Sequence, residues 1–202
     1  MKKILTLFVE HEKELFKKRR LAPTHFELRF GNAANSDLGY LKIENTGADI
    51  LIEGQIDRID VEKNKTHAMV IDYKRSAREF GVHEKLKKGL EFQLPLYLLA
   101  VRRLLRLEAI GAELRILREA SSEGLYRELS APLLGLHPNV RVYSDEDFES
   151  ILSRTEDLIR KNLKRLQSAD ISVKSKSCSY CSFSSVCRFE PWRLVYSEEN
   201  SS

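Results

Sequence analysis

The sequence predicts a mixed α/β (α+β) fold, in which a central β-sheet is flanked by helices. Apolar residues recur with helical spacing at the start of the chain and in two later stretches, 92–107 and 145–167. Between these stretches, several short segments alternate between apolar and polar residues, as half-buried strands do. The predicted order is helix, three strands, helix, two strands, helix and a cysteine-containing loop, which suits one mixed sheet covered by helices.

The first and last helices carry clear signals. Residues 5–21 predict an amphipathic helix with Leu5, Phe8, Leu15 and Phe16 toward a core, ended by Pro23. Asp145 is a plausible N-cap for the long helix 145–167.

The strands are predicted from period-two alternation. In 24–31, Phe26, Leu28 and Phe30 fall on one face, with Glu27 and Arg29 on the other. Two hairpins are predicted, each from two neighbouring segments with this alternation. Their strands are 48–63 with 66–76, joined by a turn at "KNK", and 112–119 with 123–130.

Composition bounds the class of protein. The chain has 202 residues, 42% of them hydrophobic, which is enough for one soluble domain with a core. It carries 34 Lys and Arg against 30 Asp and Glu, a net charge of +4, which permits a polyanionic partner without requiring one. Charged residues interrupt the apolar N-terminal stretch, and no run of about 18 apolar residues occurs. We therefore predict a cytoplasmic protein with no signal peptide and no membrane span.

The candidate chemistry lies in "VIDYKRS", where a buried-type strand ends in Asp72 and Lys74. These two residues share a face because they are two positions apart. Alternation places Asp57 on the preceding strand, on a face opposite Ile59, and antiparallel pairing can bring Asp57 within a few ångströms of Asp72. Two such carboxylates repel unless a cation lies between them, and Mg²⁺ binds through one or two carboxylates. Lys74 would then orient a water or neutralise the charge that develops on a phosphate in the transition state. The alternative is a set of solvated charges paired across the hairpin.

Three segments together resemble the RecB-like branch of the PD-(D/E)XK nuclease superfamily. They are "EGQIDRID", "VIDYKRS" and "GLEFQLPLYLLA". The residues that match the family pattern are Gly54, Asp57, Arg58 and Asp60, then Asp72 and Lys74, then Gln93 and Tyr97. Glu27 matches an acidic position on the family's first core strand. The resemblance runs from about residue 25 to residue 105, with the cysteine segment added.

The resemblance implies a restriction-endonuclease-like core and hydrolysis of DNA phosphodiesters with Mg²⁺ or Mn²⁺. It implies that Asp57, Asp72 and the backbone carbonyl of Tyr73 hold the metal and that Lys74 positions the attacking water. Gln93 and Tyr97, one helical turn apart, would act together beside the active site, and Glu27 completes the predicted catalytic set.

Each of these assignments has a plainer alternative. Tyr97 fits helix packing by pattern alone, and Arg58 fits a structural ion pair on the other face of the sheet. The lysines at positions 85, 87 and 88 are a solvated run by default, but phosphate contacts become plausible if the chain is a nuclease.

Three cysteines are clustered as Cys178, Cys181 and Cys187, a C-x₂-C-x₅-C pattern that favours metal binding over a disulfide framework. The resemblance implies a [4Fe–4S] cluster whose last three ligands follow this pattern. A fourth cysteine and the family's upstream histidine have no match here, so the cluster site is incomplete. Zinc, or no metal, are the alternatives.

The predicted domain organisation has three parts. Residues 1–172 form a PD-(D/E)XK nuclease domain that lacks its upstream helices, residues 173–192 form the cysteine-cluster segment, and residues 193–202 form a polar tail. The missing elements predict a fragment of a longer protein or a reduced nuclease.

Within the superfamily, the resemblance points to an AddB-type helicase–nuclease. It implies DNA as substrate, a helicase–nuclease partner subunit, an exonuclease role in double-strand-break repair and no membrane. The alternatives are a non-catalytic DNA-binding or docking module that keeps the fold, a zinc-stabilised binding domain, and a CRISPR-associated adaptation nuclease.

Overall fold

The structure is a computed structural model, which describes residues 2–32, 36, 38–76 and 81–170. Its centre is a mixed five-stranded sheet in the order β1-β4-β5-β6-β7. The five strands are β1 Leu21–Phe30, β4 Gly54–Glu62, β5 His67–Lys74, β6 Glu108–Ile116 and β7 Ser121–Tyr126. The predicted mixed sheet flanked by helices is confirmed.

Strand pairing follows from the connections between strands. β4 and β5 form the predicted antiparallel hairpin, and β6 and β7 form the second one. β5 and β6 are parallel, because a helical crossover carries the chain back across the sheet before β6 begins.

The predicted strand 48–63 is interrupted after residue 52. A short strand β3, Ile50–Ile52, pairs instead with β2, Leu41–Ile43, as a separate two-stranded ribbon. Gly54 begins β4 where the ring of Phe30 crosses it, and a Cβ at position 54 would lie 2.8 Å from that ring. The glycine thus permits the close approach at which the chain passes from one sheet to the other.

Five α-helices accompany the sheet within the described residues. They are α1 Lys2–Lys18, α2 Val82–Lys88, α3 Gln93–Ala100, α4 Ser130–Leu134 and α5 Asp145–Gln167. The stretch 92–107 is not one regular helix, because α3 continues as a π-helical turn, Val101–Leu105, that ends at Arg106 in the left-handed region. The sequence analysis missed α2 and α4, which at seven and five residues are too short for a periodic signal.

Two apolar layers lie on opposite faces of the sheet. One contains α3 and α5, with Ile59, Val70, Leu94, Leu98 and Phe148 fully buried. The other contains α4 and is smaller, with Met69, Ile71 and Ile110 at its centre.

The first helix differs from its prediction. It ends at Lys18, and Pro23 lies inside β1, where the pairing register with β4 shifts. Leu5 and Phe16, predicted to face a core, are 47% and 44% exposed. The other two predicted residues are partly buried, and charged side chains make most of the contact between α1 and the sheet, as described below.

Two local predictions about the strand and the long helix also need correction. Phe26 is 64% exposed, because β1 is an edge strand and Phe26 lies outside both apolar layers. The N-cap of α5 is Ser144, whose hydroxyl accepts a hydrogen bond from the backbone N–H of Asp147 at 3.1 Å. Asp145 instead accepts a hydrogen bond from Arg127 at 2.6 Å.

The chain divides into two units, residues 1–160 and residues 161–202. Of the second, the structure describes 161–170, which include the end of α5. The predicted cysteine segment 173–192, with Cys178, Cys181 and Cys187, and the tail 193–202 lie outside the described residues. No helix among those described is long and apolar enough to cross a membrane.

Candidate active site

The two predicted acids meet where β4 and β5 face each other. The antiparallel register pairs Arg58 with Ile71, and Asp57 and Asp72 are the next residues along each strand. Asp57 Oδ2 accepts a hydrogen bond from the backbone N–H of Tyr73 at 2.8 Å. Asp57 shares the α3 side of the sheet with Ile59, so its predicted placement opposite Ile59 is wrong, whereas its predicted proximity to Asp72 is found.

Lys74 and Asp72 form an ion pair at the end of β5. Lys74 Nζ lies 2.5 Å from Asp72 Oδ2. The carboxylate is buried at 2% exposure, whereas the lysine side chain is 21% exposed and can reach solvent. The ammonium group is therefore the solvent-accessible member of the pair, and the carboxylate is the buried one.

Gln93, the first residue of α3, joins these groups. Its Oε1 accepts from Lys74 Nζ at 3.0 Å, and its Nε2 donates to Asp72 Oδ1 at 2.8 Å. The same Nε2 donates to the Tyr97 hydroxyl at 3.1 Å. One amide thus uses its oxygen and both N–H groups to fix the acid and the amine relative to each other.

The environment of Asp72 disfavours its ionised form. Burial raises the pKa of the Asp72 carboxyl. The hydrogen bond and charge of Lys74 oppose that rise, while the charges of Asp57 and Glu91 add to it. Burial also raises the pKa of the Tyr97 hydroxyl, and the two aspartates add to that shift. The site therefore has an excess of negative charge that one lysine does not fully balance.

This imbalance fits a divalent cation. Asp72 Oδ2 is buried and has no hydrogen bond of ordinary geometry within the described part of the chain, although Lys74 lies beside it. Mg²⁺ typically binds through one or two carboxylates and keeps several waters. Asp57 and Asp72 could supply those carboxylates. Across the described residues no group of three or more His, Cys, Asp or Glu side chains is assembled to hold a metal, so the structure offers an open carboxylate pair rather than a closed cage.

Glu27 lies on β1, next to the strand that carries Asp57. It falls between the register pairs Phe26–Arg58 and Leu28–Ile56, and so lies across from Asp57. Its carboxylate accepts a hydrogen bond from Gln55. Its φ of 50° is in the left-handed region, a strained conformation for a residue other than glycine.

Arg58 and Asp60 lie on the opposite face of the sheet, as predicted for Arg58. Arg58 makes a two-pronged ion pair with Asp60 at 2.5 and 2.7 Å and also contacts Glu12 of α1. Both side chains are buried. They belong to the contact between α1 and the sheet, and not to the Asp57–Asp72 site.

Glu91 was missed by the sequence analysis. It is buried two residues before Gln93, its Oε1 accepts from the Leu94 N–H at 3.2 Å, and its charge acts on Asp72. The available signal was an acidic residue two positions before an apolar helix, close enough for its side chain to accept from an N–H of the first turn.

The fold and the site define a class of protein. A model of the PD-(D/E)XK nuclease superfamily matches residues 1–188, and the chain belongs to that superfamily.

Three curated relatives are 26–29% identical to this chain. The chain is 26% identical to an ATP-dependent helicase/deoxyribonuclease subunit of Clostridium acetobutylicum over 94% of this chain and 21% of the relative. It is 29% identical to the protein of the same name in Lactococcus lactis subsp. cremoris, over 81% of this chain and 18% of the relative. The exonuclease/helicase protein RexB of the same subspecies is 27% identical over 77% of this chain and 17% of the relative. The chain thus spans about a fifth of the length of these relatives.

Proposed function

We propose that this chain is a metal-dependent DNA nuclease domain that hydrolyses phosphodiester bonds. The observation that carries the proposal is the joint arrangement of Asp57, Asp72, Lys74 and Gln93, with an ammonium hydrogen-bonded beside a carboxylate pair of which Asp72 is buried. Membership of a nuclease superfamily and relatives named as deoxyribonuclease subunits support it.

In the proposed reaction a water oxygen bonds to phosphorus, and the bond from phosphorus to the leaving sugar oxygen breaks. Mg²⁺ or Mn²⁺, held by Asp57, Asp72 and the Tyr73 carbonyl, would supply positive charge to the phosphate and acidify the water. Lys74 orients that water and neutralises the charge that develops on the phosphate oxygens. The leaving oxygen takes up a proton as the attacking water gives one up.

Gln93 keeps this geometry fixed. Because its amide bridges Asp72 and Lys74, the two groups cannot separate without breaking their ion pair and one of these two hydrogen bonds. Tyr97 limits the amide's rotation through a third. Such preorganisation is what makes a charged group effective at the transition state.

The biological setting is a second part of the proposal. The relatives' names join a helicase to a deoxyribonuclease or exonuclease, and we infer that this chain degrades linear DNA from its ends beside a helicase partner during double-strand-break repair.

Cleavage of end-labelled linear DNA with Mg²⁺ or Mn²⁺ tests the proposal. We expect Lys74→Ala to lower the rate by roughly 10²-fold or more, as loss of a group that stabilises transition-state charge does. Lys63→Ala is the matched control, because Lys63 is exposed in the turn at the other end of the β4–β5 hairpin. Covalently closed circular DNA, which has no ends, should resist cleavage.

Two outcomes would contradict the proposal. A folded wild-type chain that cleaves no DNA with either metal would favour a non-catalytic module that keeps the fold. Equal rates for Lys74→Ala and Lys63→Ala would show that the predicted amine takes no part in the reaction.

A further inference from the structure

Three basic side chains and a histidine line a cavity beside the start of α3, and we call this group the Arg141 cluster. It consists of His83, Lys87, Arg141 and Arg154 around the buried ring of Tyr143. These residues line a cavity of about 110 Å³ between α2, the start of α3 and α5.

Specific contacts hold the cluster in place. His83 Nδ1 lies 2.7 Å from the Tyr143 hydroxyl, and the guanidinium of Arg141 lies 4.9 Å from the centre of the Tyr143 ring. Arg154 donates to the Lys87 carbonyl at 3.2 Å, which ties α5 to α2. The guanidinium groups of Arg141 and Arg154 are therefore positioned by the Tyr143 ring and the Lys87 carbonyl, and not by carboxylate partners.

The charge of the cluster is largely uncompensated. Lys87, Arg141 and Arg154 are exposed, and within the described ranges none has a carboxylate within 4.0 Å. By contrast, arginines on the neighbouring surface are paired with Glu149 or Glu156.

The charges of these cations affect the pKa of His83. Burial lowers the pKa of its imidazole, and the charges of Arg141 and Lys87 lower it further, against a partial opposing effect of Glu123. Glu91 also lines the cavity, but it is buried and caps α3. The accessible side of the cluster is positive.

The position of the cluster relates it to the Asp57–Asp72 site. The sheet register aligns Asp72 with Leu114 and Leu114 with Glu123, two strands away, which is about 10 Å at the usual strand spacing. Glu123 accepts from the N–H of Val82, the neighbour of His83, at 3.1 Å. The cavity also adjoins the Asp57–Asp72 site through Glu91, which lines it and whose charge acts on Asp72.

We propose that the Arg141 cluster binds backbone phosphates of the DNA strand to one side of the scissile phosphate. Binding through point charges is independent of base sequence. This inference rests on the proposed function and identifies the surface that would hold its substrate.

The test compares two charge-matched double variants. Lys87→Gln with Arg141→Gln removes two cations from the cluster. Lys63→Gln with Lys65→Gln removes two exposed cations from the β4–β5 turn, at the opposite end of the sheet. Binding of a fluorescent 20-nucleotide single strand is measured by anisotropy with Ca²⁺ in place of Mg²⁺ across a range of salt concentrations, and circular dichroism establishes that both variants are folded.

For single strands, log K falls by about 0.7 per phosphate contact for each tenfold rise in salt. One contact is therefore worth roughly fivefold in affinity at 0.1 M salt relative to 1 M, and we expect the cluster variant to bind more weakly by about that factor for each contact it loses. Its salt slope should also be shallower by about 1.4. The turn variant should bind as the wild type does.

Several results would overturn the inference. They are equal losses in both double variants, an unchanged salt slope in the cluster variant, and a wild-type chain that does not bind the strand. If the wild type cleaves DNA but the cluster variant binds it normally, the surface is wrong and the nuclease proposal stands. If the cluster variant alone loses affinity while the wild type cleaves nothing, the surface is right and the catalytic proposal fails.

Discussion

At the scale of single residues, Asp72 combines a destabilising environment with a central position. Its carboxylate is buried, lies near Asp57 and Glu91, and is only partly compensated by Lys74. Functional sites commonly hold such groups at a cost in stability. The surrounding contacts with Gln93 and Lys74 keep the carboxylate in place despite that cost.

We expect Asp72→Asn to raise stability at neutral pH while abolishing cleavage. The pKa of Asp72 is higher in the folded than in the unfolded chain, so the folded chain binds this proton more tightly, and stability falls as pH rises through the raised pKa. Asparagine removes that effect. A gain of about 1 kcal/mol would raise the melting temperature by roughly 2–4 °C in a chain of this size.

Melting curves between pH 4 and pH 8 would check this expectation. The difference between wild type and Asp72→Asn should be largest at the neutral end and shrink toward the acid end. Asp57→Asn is the control, since its carbonyl can still accept the Tyr73 N–H and no comparable gain is expected. A lower melting temperature for Asp72→Asn at pH 7 would show that its pairing with Lys74 outweighs the cost of burial.

At the scale of elements, the contact between α1 and the sheet is a buried layer of charges. Its members are three arginines, Arg19, Arg58 and Arg115, and three acids, Glu12, Asp60 and Glu113. The layer has equal numbers of opposite charges, so each group has partners. Burial nevertheless lowers the pKa of Arg115 to about 10. Because charged groups make most of this contact, α1 buries its apolar side only in part.

Tyr73 links this layer to the candidate active site. Its backbone N–H donates to Asp57 on one face of the sheet, while its hydroxyl accepts from Arg58 at 2.9 Å on the other. The ring of Phe8 contacts it edge-on, with centroids 6.0 Å apart. The position between Asp72 and Lys74 is thus anchored by α1.

We expect Arg58→Met to lower the free energy of unfolding by about 3–5 kcal/mol, because it leaves the buried Asp60 without its two-pronged partner. Urea unfolding at pH 7 measures the loss. Tyr73→Phe should cost less, about 0.5–1.5 kcal/mol, since it removes one hydrogen bond. A loss below about 1 kcal/mol for Arg58→Met would mean that the layer contributes little to the fold.

At the scale of the whole molecule, the structure describes the nuclease fold but not the cysteine segment. Cys178, Cys181 and Cys187 lie beyond the described residues, and their metal stays a prediction from the sequence. Three thiolates leave one iron of a [4Fe–4S] cluster without a cysteine ligand.

Metal analysis of anaerobically purified chain would decide between the alternatives. We expect iron and acid-labile sulfide, at less than a full complement of four irons per chain. A variant with serine at all three cysteine positions should contain neither. Zinc without sulfide would instead support a zinc-stabilised segment, and no metal would mean that the cysteines bind none without further ligands.

Much of the fold was predictable, for identifiable reasons. The β4–β5 and β6–β7 hairpins and α5 are long enough for their periodicity to emerge from sequence. The short elements α2, α4, β2 and β3 are not. The apolar side of α1, expected to face a core, is only partly buried, because periodicity shows that a helix has an apolar side but not what that side contacts.

The sequence by itself determined which residues are candidates for nuclease chemistry, because Asp57, Asp72, Lys74, Gln93 and Tyr97 have the types and order of the family pattern. Only the tertiary structure decided which of them are in contact. The Gln93 bridge, the influence of Glu91 on Asp72 and the Arg141 cluster join residues that lie 19 to 67 positions apart. Their proximity depends on strand register and helix packing, which are properties of the folded chain and not of any local stretch of sequence.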